Sequence, residues 1–154
     1  MTPIELVDAL VEFIKVAAKD YDLSTKIDGV TKMPDVHAGY LPPKEKNNDD
    51  KAIFPYIIVQ YDSGHDDQDN QAKIRIIIGT YSEDEQNGWR DALNVANRLH
   101  IALRKSPLLG PFSLVGPIKP KLFPEQFCPE WLAMIEVSYN LPQVQFEWSD
   151  ELYD

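Results

Sequence analysis

Two runs of alternating residues, Ile53 to Asp62 and Ala72 to Tyr81, constrain this chain more than anything else in it. In the first, Ile57, Val59 and Tyr61 alternate with Tyr56, Ile58 and Gln60. In the second, Ile74, Ile76 and Ile78 alternate with Lys73, Arg75 and Ile77. A period of two in β-branched and aromatic residues predicts a pair of strands. The polar residues from Ser63 to Gln71 then form a long hairpin tip. Pro55 has no N–H for a ladder, which places it at a strand's start or on an edge. A third alternating run, Trp131 to Leu141, turns Trp131, Ala133, Ile135, Val137 and Tyr139 to one side. Beyond Pro142, Val144 and Phe146 are expected to extend it after a bend. Pro111 to Pro120 reads as a Pro-punctuated extended piece around Phe112-Ser113-Leu114-Val115.

Two segments switch to helical spacing. Residues 2 to 19 open with Thr2 as N-cap, Pro3 in the first turn and Glu5 completing a Thr-x-x-Glu capping box. Leu6, Leu10, Ile14 and Ala17, flanked by Val7 and Val11, make one apolar stripe, the face such a helix must bury. The second helix is expected to be capped by Ser82 with Glu85 as box partner. Trp89, Leu93, Ala96, His100 and Leu103 run down one face, and Pro107 stops it. Periodicity is lost from Tyr21 to Lys51. There a short strand is expected around the Asp28-Gly29 turn, and Gly39, Pro42, Pro43 and Asn47 to Asp50 mark a long loop. The order of elements predicts a single α+β domain over residues 1–146. An antiparallel sheet of about four strands would have the two helices packed on one face. Residues 31–50 are a long loop or arm in this reading, and 147–154 an acidic C-terminal tail.

Composition narrows function chiefly by exclusion. Fifteen Lys and Arg against 25 Asp and Glu leave a net charge of −10. That disfavours proteins that grip phosphate backbones or anionic membrane surfaces, both of which need clustered positive charge. The longest apolar run, Ile53 to Val59, is far shorter than the ~20 residues of a bilayer span. Glu5, Asp8 and Glu12 stand where a signal peptide would need a basic start and an apolar stretch. The single cysteine, Cys128, cannot form an intrachain disulfide or a Cys-rich zinc site. The expectation is a soluble, acidic domain that folds inside the cell.

No catalytic fingerprint emerges. The seven glycines fall in neither GxxxxGK nor GxGxxG spacing, and no HExxH pair exists. His37, His65 and His100 are far apart, and His100 falls on an apolar helix face. Nothing in sequence lowers the pKa of Cys128, as a nucleophilic thiolate requires. Glu83, Asp84 and Glu85 are explained by the positive end of a helix without invoking paired catalytic carboxylates. Asp62, Asp66, Asp67 and Asp69 are the oxygen donors a hard cation takes, but EF-hand spacing is missing. A divalent-metal-binding module built on residues 62–69 stands as the non-enzymatic alternative.

The stretches Phe54-Pro55-Tyr56-Ile57-Ile58-Val59, Ile74 to Asp84, Gly88-Trp89-Arg90-Asp91-Ala92-Leu93, Trp131 to Glu136 and Leu141-Pro142-Gln143-Val144-Gln145 occur in a fixed order. They resemble the tail terminator, or tail-completion, proteins of lambda-type long-tailed phages and prophages over roughly residues 53 to 145. The resemblance implies an α+β virion protein assembled in the host cytoplasm, with neither enzyme activity nor cofactor. Such a subunit forms a ring, a hexamer in this family, on the end of the tail tube at the head–tail joint. It stops tube polymerisation and presents a surface for the head-side connector. The implied partners are therefore other copies of the chain, the tail tube protein and the neck protein. No membrane or sequence-specific nucleic acid is involved, and DNA only passes through the ring. A neck or head-completion connector is the alternative within the same joint. Neighbours in a ring meet through two different patches. The expected assembly contacts are Asp62, His65, Asp66, Asp67 and Asp69 at the hairpin tip and Gln143 and Gln145 at the bend, with the 37–50 loop a further candidate.

Overall fold

The computed structural model describes residues 2–27, 29–42 and 53–143. Helix α1 spans Pro3–Ala17, and its Thr2 Oγ1 accepts from the Glu5 N–H at 3.2 Å, as the capping box requires. Strands β1 (Leu23–Ser24) and β2 (Thr31–Lys32) pair as a small antiparallel ribbon, and between them the Val30 N–H donates to the Ile27 carbonyl at 3.1 Å. Then follow β3 (Asp35–Ala38), β4 (Tyr56–Asp66), β5 (Asn70–Tyr81), α2 (Trp89–Lys105), β6 (Leu108–Leu109), β7 (Phe112–Leu122) and β8 (Glu130–Asn140). These last six strands form one sheet in the order β3-β4-β5-β8-β7-β6. Among the described residues, no helix is long and apolar enough to cross a membrane.

The sheet corrects the expected antiparallel sheet of about four strands with two helices packed on one face. It has six strands, curls into a half-barrel and is mixed, because β3 runs parallel to β4. The physical reasons are local. Strand β3 is the tetrapeptide Asp-Val-His-Ala, too short and too polar to show a period, and backbone pairing with Tyr56 to Val59 holds it in place. Strand β7 continues through Pro117 and Pro120, which an outer strand tolerates because its free side needs no N–H. Register shifts between Tyr61 and Ser63 and between Val115 and Lys119 add bends that increase local twist.

The larger core joins Leu6, Leu10 and Ile14 of α1 and Ala92, Val95, Leu99 and Leu103 of α2 to the strand residues Ile57, Ile74, Ile76, Ile78, Ile135 and Tyr139. Burial of each large aliphatic side chain there is worth about 1.5–3 kcal/mol. A second apolar cluster, Phe54, Tyr56 and Ile58, packs with Leu41, Ile53, Ile77, Tyr81 and Leu132. Tyr56 lies opposite Gly79, where a Cβ would intrude on its ring, so the glycine makes room for the aromatic. Pro55 directly precedes β4 and its carbonyl accepts from the Asp35 N–H at 3.2 Å.

The start of the second helix is also corrected. The helix begins at Trp89 with Gly88 as its cap residue, not at Ser82. Ser82 to Gly88 instead form turns in which Asp84 Oδ1 accepts from the Gln86 and Asn87 N–H groups at 3.0 and 3.1 Å. Asp and Ser offer the backbone such local acceptors in place of a helical turn. Gly88 is buried against Trp131, whose indole N–H donates to the Ser82 carbonyl at 3.0 Å, and a Cβ there would strike the indole.

Candidate assembly surface

Strands β4 and β5 run on past the core as a two-stranded arm, so the expected tip of Ser63 to Gln71 shrinks to Asp67–Asp69. Beyond Val59, the last residue that β3 covers, β4 is itself the outer strand among the described residues. Asp62 is the extra residue of the bulge, and its carboxylate pairs with the Arg75 guanidinium. That hydrogen bond, above all, holds the Asp62 carboxyl below the usual range. Tyr61, still in register opposite Ile74, is 47% exposed, although its alternation with Ile57 and Val59 pointed it inward. Next along the arm's outer face, Lys73 pairs with Glu136 of β8 at 3.4 Å.

At the tip, Asp67 accepts from the Gln68 N–H at 2.6 Å and faces the His65 ring at 3.5 Å. The backbone hydrogen bond from Gln68 is the main cause that lowers the Asp67 pKa. Both carboxylates therefore stay ionised well below neutral pH. Asp66 and Asp69 are exposed and form no ion pair among the described residues. The chain leaving β8 returns to this arm. The Leu141 N–H donates to the Asn70 carbonyl at 2.8 Å, Asn70 Nδ2 donates to the Pro142 carbonyl at 3.2 Å, and Gln143 Nε2 donates to the Gln68 carbonyl. The structure thus brings Asp62, His65, Asp66, Asp67, Asp69 and Gln143 to one end of the sheet. Gln145, with Val144 and Phe146, lies outside the described residues, as does most of the 37–50 loop.

The residues weighed for chemistry do not converge. No group of three or more His, Cys, Asp and Glu side chains is placed to hold a metal ion among the described residues. Cys128 Sγ sits 3.7 Å from the Ser82 carbonyl, just past the far end of β5, while His65 pairs near its beginning. At ~3.3 Å per residue, the strand separates thiol from imidazole by about 30 Å. Burial, and then the nearby Glu85, Asp84 and Glu83, push the thiol's pKa up, the opposite of what a nucleophile needs. Asp84 is held low by the two turn N–H groups, which occupy its carboxylate.

One feature of this surface has a sequence signal that strand and helix patterns pass over. Between Asp91 and Glu125 the chain contains no Asp or Glu, yet it carries Arg98, Arg104, Lys105, Lys119 and Lys121. That stretch builds most of α2, which packs across β8, β7 and β5, together with β6 and β7, the side of the sheet away from β3 and β4.

No protein-family model matches the chain, and no curated protein does. Similarity is found among solved structures. One of these, a protein that carries no functional name, superposes with a TM-score of 0.54 at 16% sequence identity. The match covers 97% of this chain and 99% of the other. At that identity the likeness is one of fold over the whole domain.

Proposed function

We propose that the chain is a structural subunit of a long-tailed phage or prophage particle, a tail terminator. It caps the tail tube as a ring of copies, stops tube growth and offers a surface for head–tail joining. The observation that carries this reading is the β4–β5 arm. It projects an acidic end from a well-packed core, and the chain after β8 is tied to it by three hydrogen bonds. A side chain that serves subunit contact needs exposure on a paired backbone, not a shifted pKa or a pocket, and the arm supplies both. The raised thiol of Cys128 and the dispersed histidines support a non-enzymatic role. Net charge of −10 suits a ring through which DNA passes without adhering, since like charge lowers affinity for the backbone.

The purified chain tests the reading when added to tail tubes growing from their initiation complexes, with tube length read by electron microscopy. Growth is expected to stop on addition, giving tubes shorter than in its absence. Tubes of the same length distribution with and without the chain would contradict termination.

A further inference from the structure

The two open edges of the six-stranded sheet carry opposite charge. On one side, no Lys or Arg occurs between Ile53 and Ala72, and Asp62, Asp66, Asp67 and Asp69 all fall there. From Gln60 onward β4 presents this segment as an outer strand among the described residues. On the other side, β6 pairs with β7 only at Phe112 and Ser113, the Leu114 N–H donates to the Pro107 carbonyl at 2.8 Å, and beyond Gly116 no strand among the described residues covers that strand's outer edge. Lys119 and Lys121 are exposed there, two residues apart and so on one face of the sheet. Neither makes an ion pair among the described residues. Glu136, the register partner of Lys119, is engaged by Lys73 instead. Arg104 Nη2 reaches the Gly116 carbonyl at 3.1 Å, which fixes the basic end of α2 against the same strand.

Each side also has an apolar part. A groove of about 640 Å³ beside the β3–β4 edge is walled by Ile4, Tyr40 and Tyr61. Near the β7 edge, Leu108 is 72% exposed. An apolar centre with a charged rim is the composition of a specific protein contact.

We infer that copies of this chain dock head to tail, the acidic β4–β5 edge of one against the basic β7 edge of the next. The occupant is a second copy because the chain, acidic overall, supplies its own complement on the opposite edge. A contact between two different patches repeats in one sense and closes into a ring when the rotation per copy allows it. This deepens the ring reading above by naming the surfaces that meet. Prolines at 117 and 120 disfavour pairing of a further strand on the outer side of β7, so the contact is made by side chains.

The test uses the full-length chain in light scattering or sedimentation at low and high salt. Wild type is expected to associate at low salt and to dissociate as salt screens the rim charges. Asp66→Lys/Asp67→Lys/Asp69→Lys and Lys119→Glu/Lys121→Glu should each leave the protein monomeric. Mixing the two should restore association, because the reversed tip of one then meets the reversed edge of the other. Circular dichroism confirms that each variant is folded, and the milder Asp66→Asn and Lys119→Gln should weaken association in the same direction. Wild type that stays monomeric at low salt and high concentration would overturn the proposal. So would either charge-reversed variant associating like wild type, or mixing that restores nothing. Tube capping is scored separately. Capping by a chain whose association ignores these charges would overturn the contact and leave the terminator reading standing. Charge-dependent association without capping would do the reverse.

Discussion

Leu10→Ala is expected to cost about 2–5 kcal/mol of folding stability, the range for emptying a fully packed leucine site. Leu10 has no exposed surface and lies midway along α1, between Leu6 and Ile14 and against the β-sheet core. The informative comparison is Ile4→Ala, six residues earlier in the same helix. Ile4 is 73% exposed, so its truncation should change stability by less than about 0.5 kcal/mol. Urea denaturation of both variants, with an unchanged slope, measures the pair. Similar losses at the two positions would mean that α1 does not bury the face described. The same Ile4 variant should weaken self-association if its groove lies in the subunit contact, a separation of packing from docking within one helix.

Tyr139 produces the other large effect, and it appears only at alkaline pH. Its side chain is fully buried, its hydroxyl has no hydrogen-bond partner among the described residues, and burial pushes its pKa up to about 12. The raised value means that the folded state holds its proton while the unfolded chain releases it near pH 10. Stability is therefore fully present below pH 10 and falls as pH rises towards 12. The fall is about 1.4 kcal/mol per pH unit, or about 3 kcal/mol in all. Tyr139→Phe should remove this contribution and leave the smaller alkaline losses from Tyr21 and Tyr56, whose pKa values burial also raises. At neutral pH the same substitution should be neutral or stabilising by about 1 kcal/mol, because it deletes a buried hydroxyl that lacks a partner. Thermal melts of both proteins at pH 7 and pH 10.5 provide the reading. Equal alkaline destabilisation of the two would show that Tyr139 is solvated.

Where side chains alone decide the structure, the sequence was sufficient. Leu6, Leu10 and Ile14 recur at helical spacing, Ile74, Ile76 and Ile78 at strand spacing, and each set is buried as its period demands. Thr2, Pro3 and Glu5 marked the start of α1 because capping is a local event. Backbone pairing without a side-chain period was not legible. Strand β3 exists because Tyr56 to Val59 offer an edge, and β7 persists through two prolines because its outer side needs no donor. Ser82 and Glu85 carried a capping signal, but Asp84 captured the Gln86 and Asn87 N–H groups first and delayed α2 to Trp89. At the candidate surface, the acidic tip was visible as composition, while its link to Gln143 depends on where β8 ends. The basic edge was present as a long acid-free interval, a signal in charge spacing that periodicity arguments do not test.

Termination, as proposed, is tested most directly by electron microscopy of the particles produced when this gene is deleted from the genome that carries it. Abnormally long tail tubes that are not joined to heads are the expected result. Tails of normal length beside unattached heads would contradict termination and place the chain at the neck, and intact infectious virions would contradict the structural role altogether.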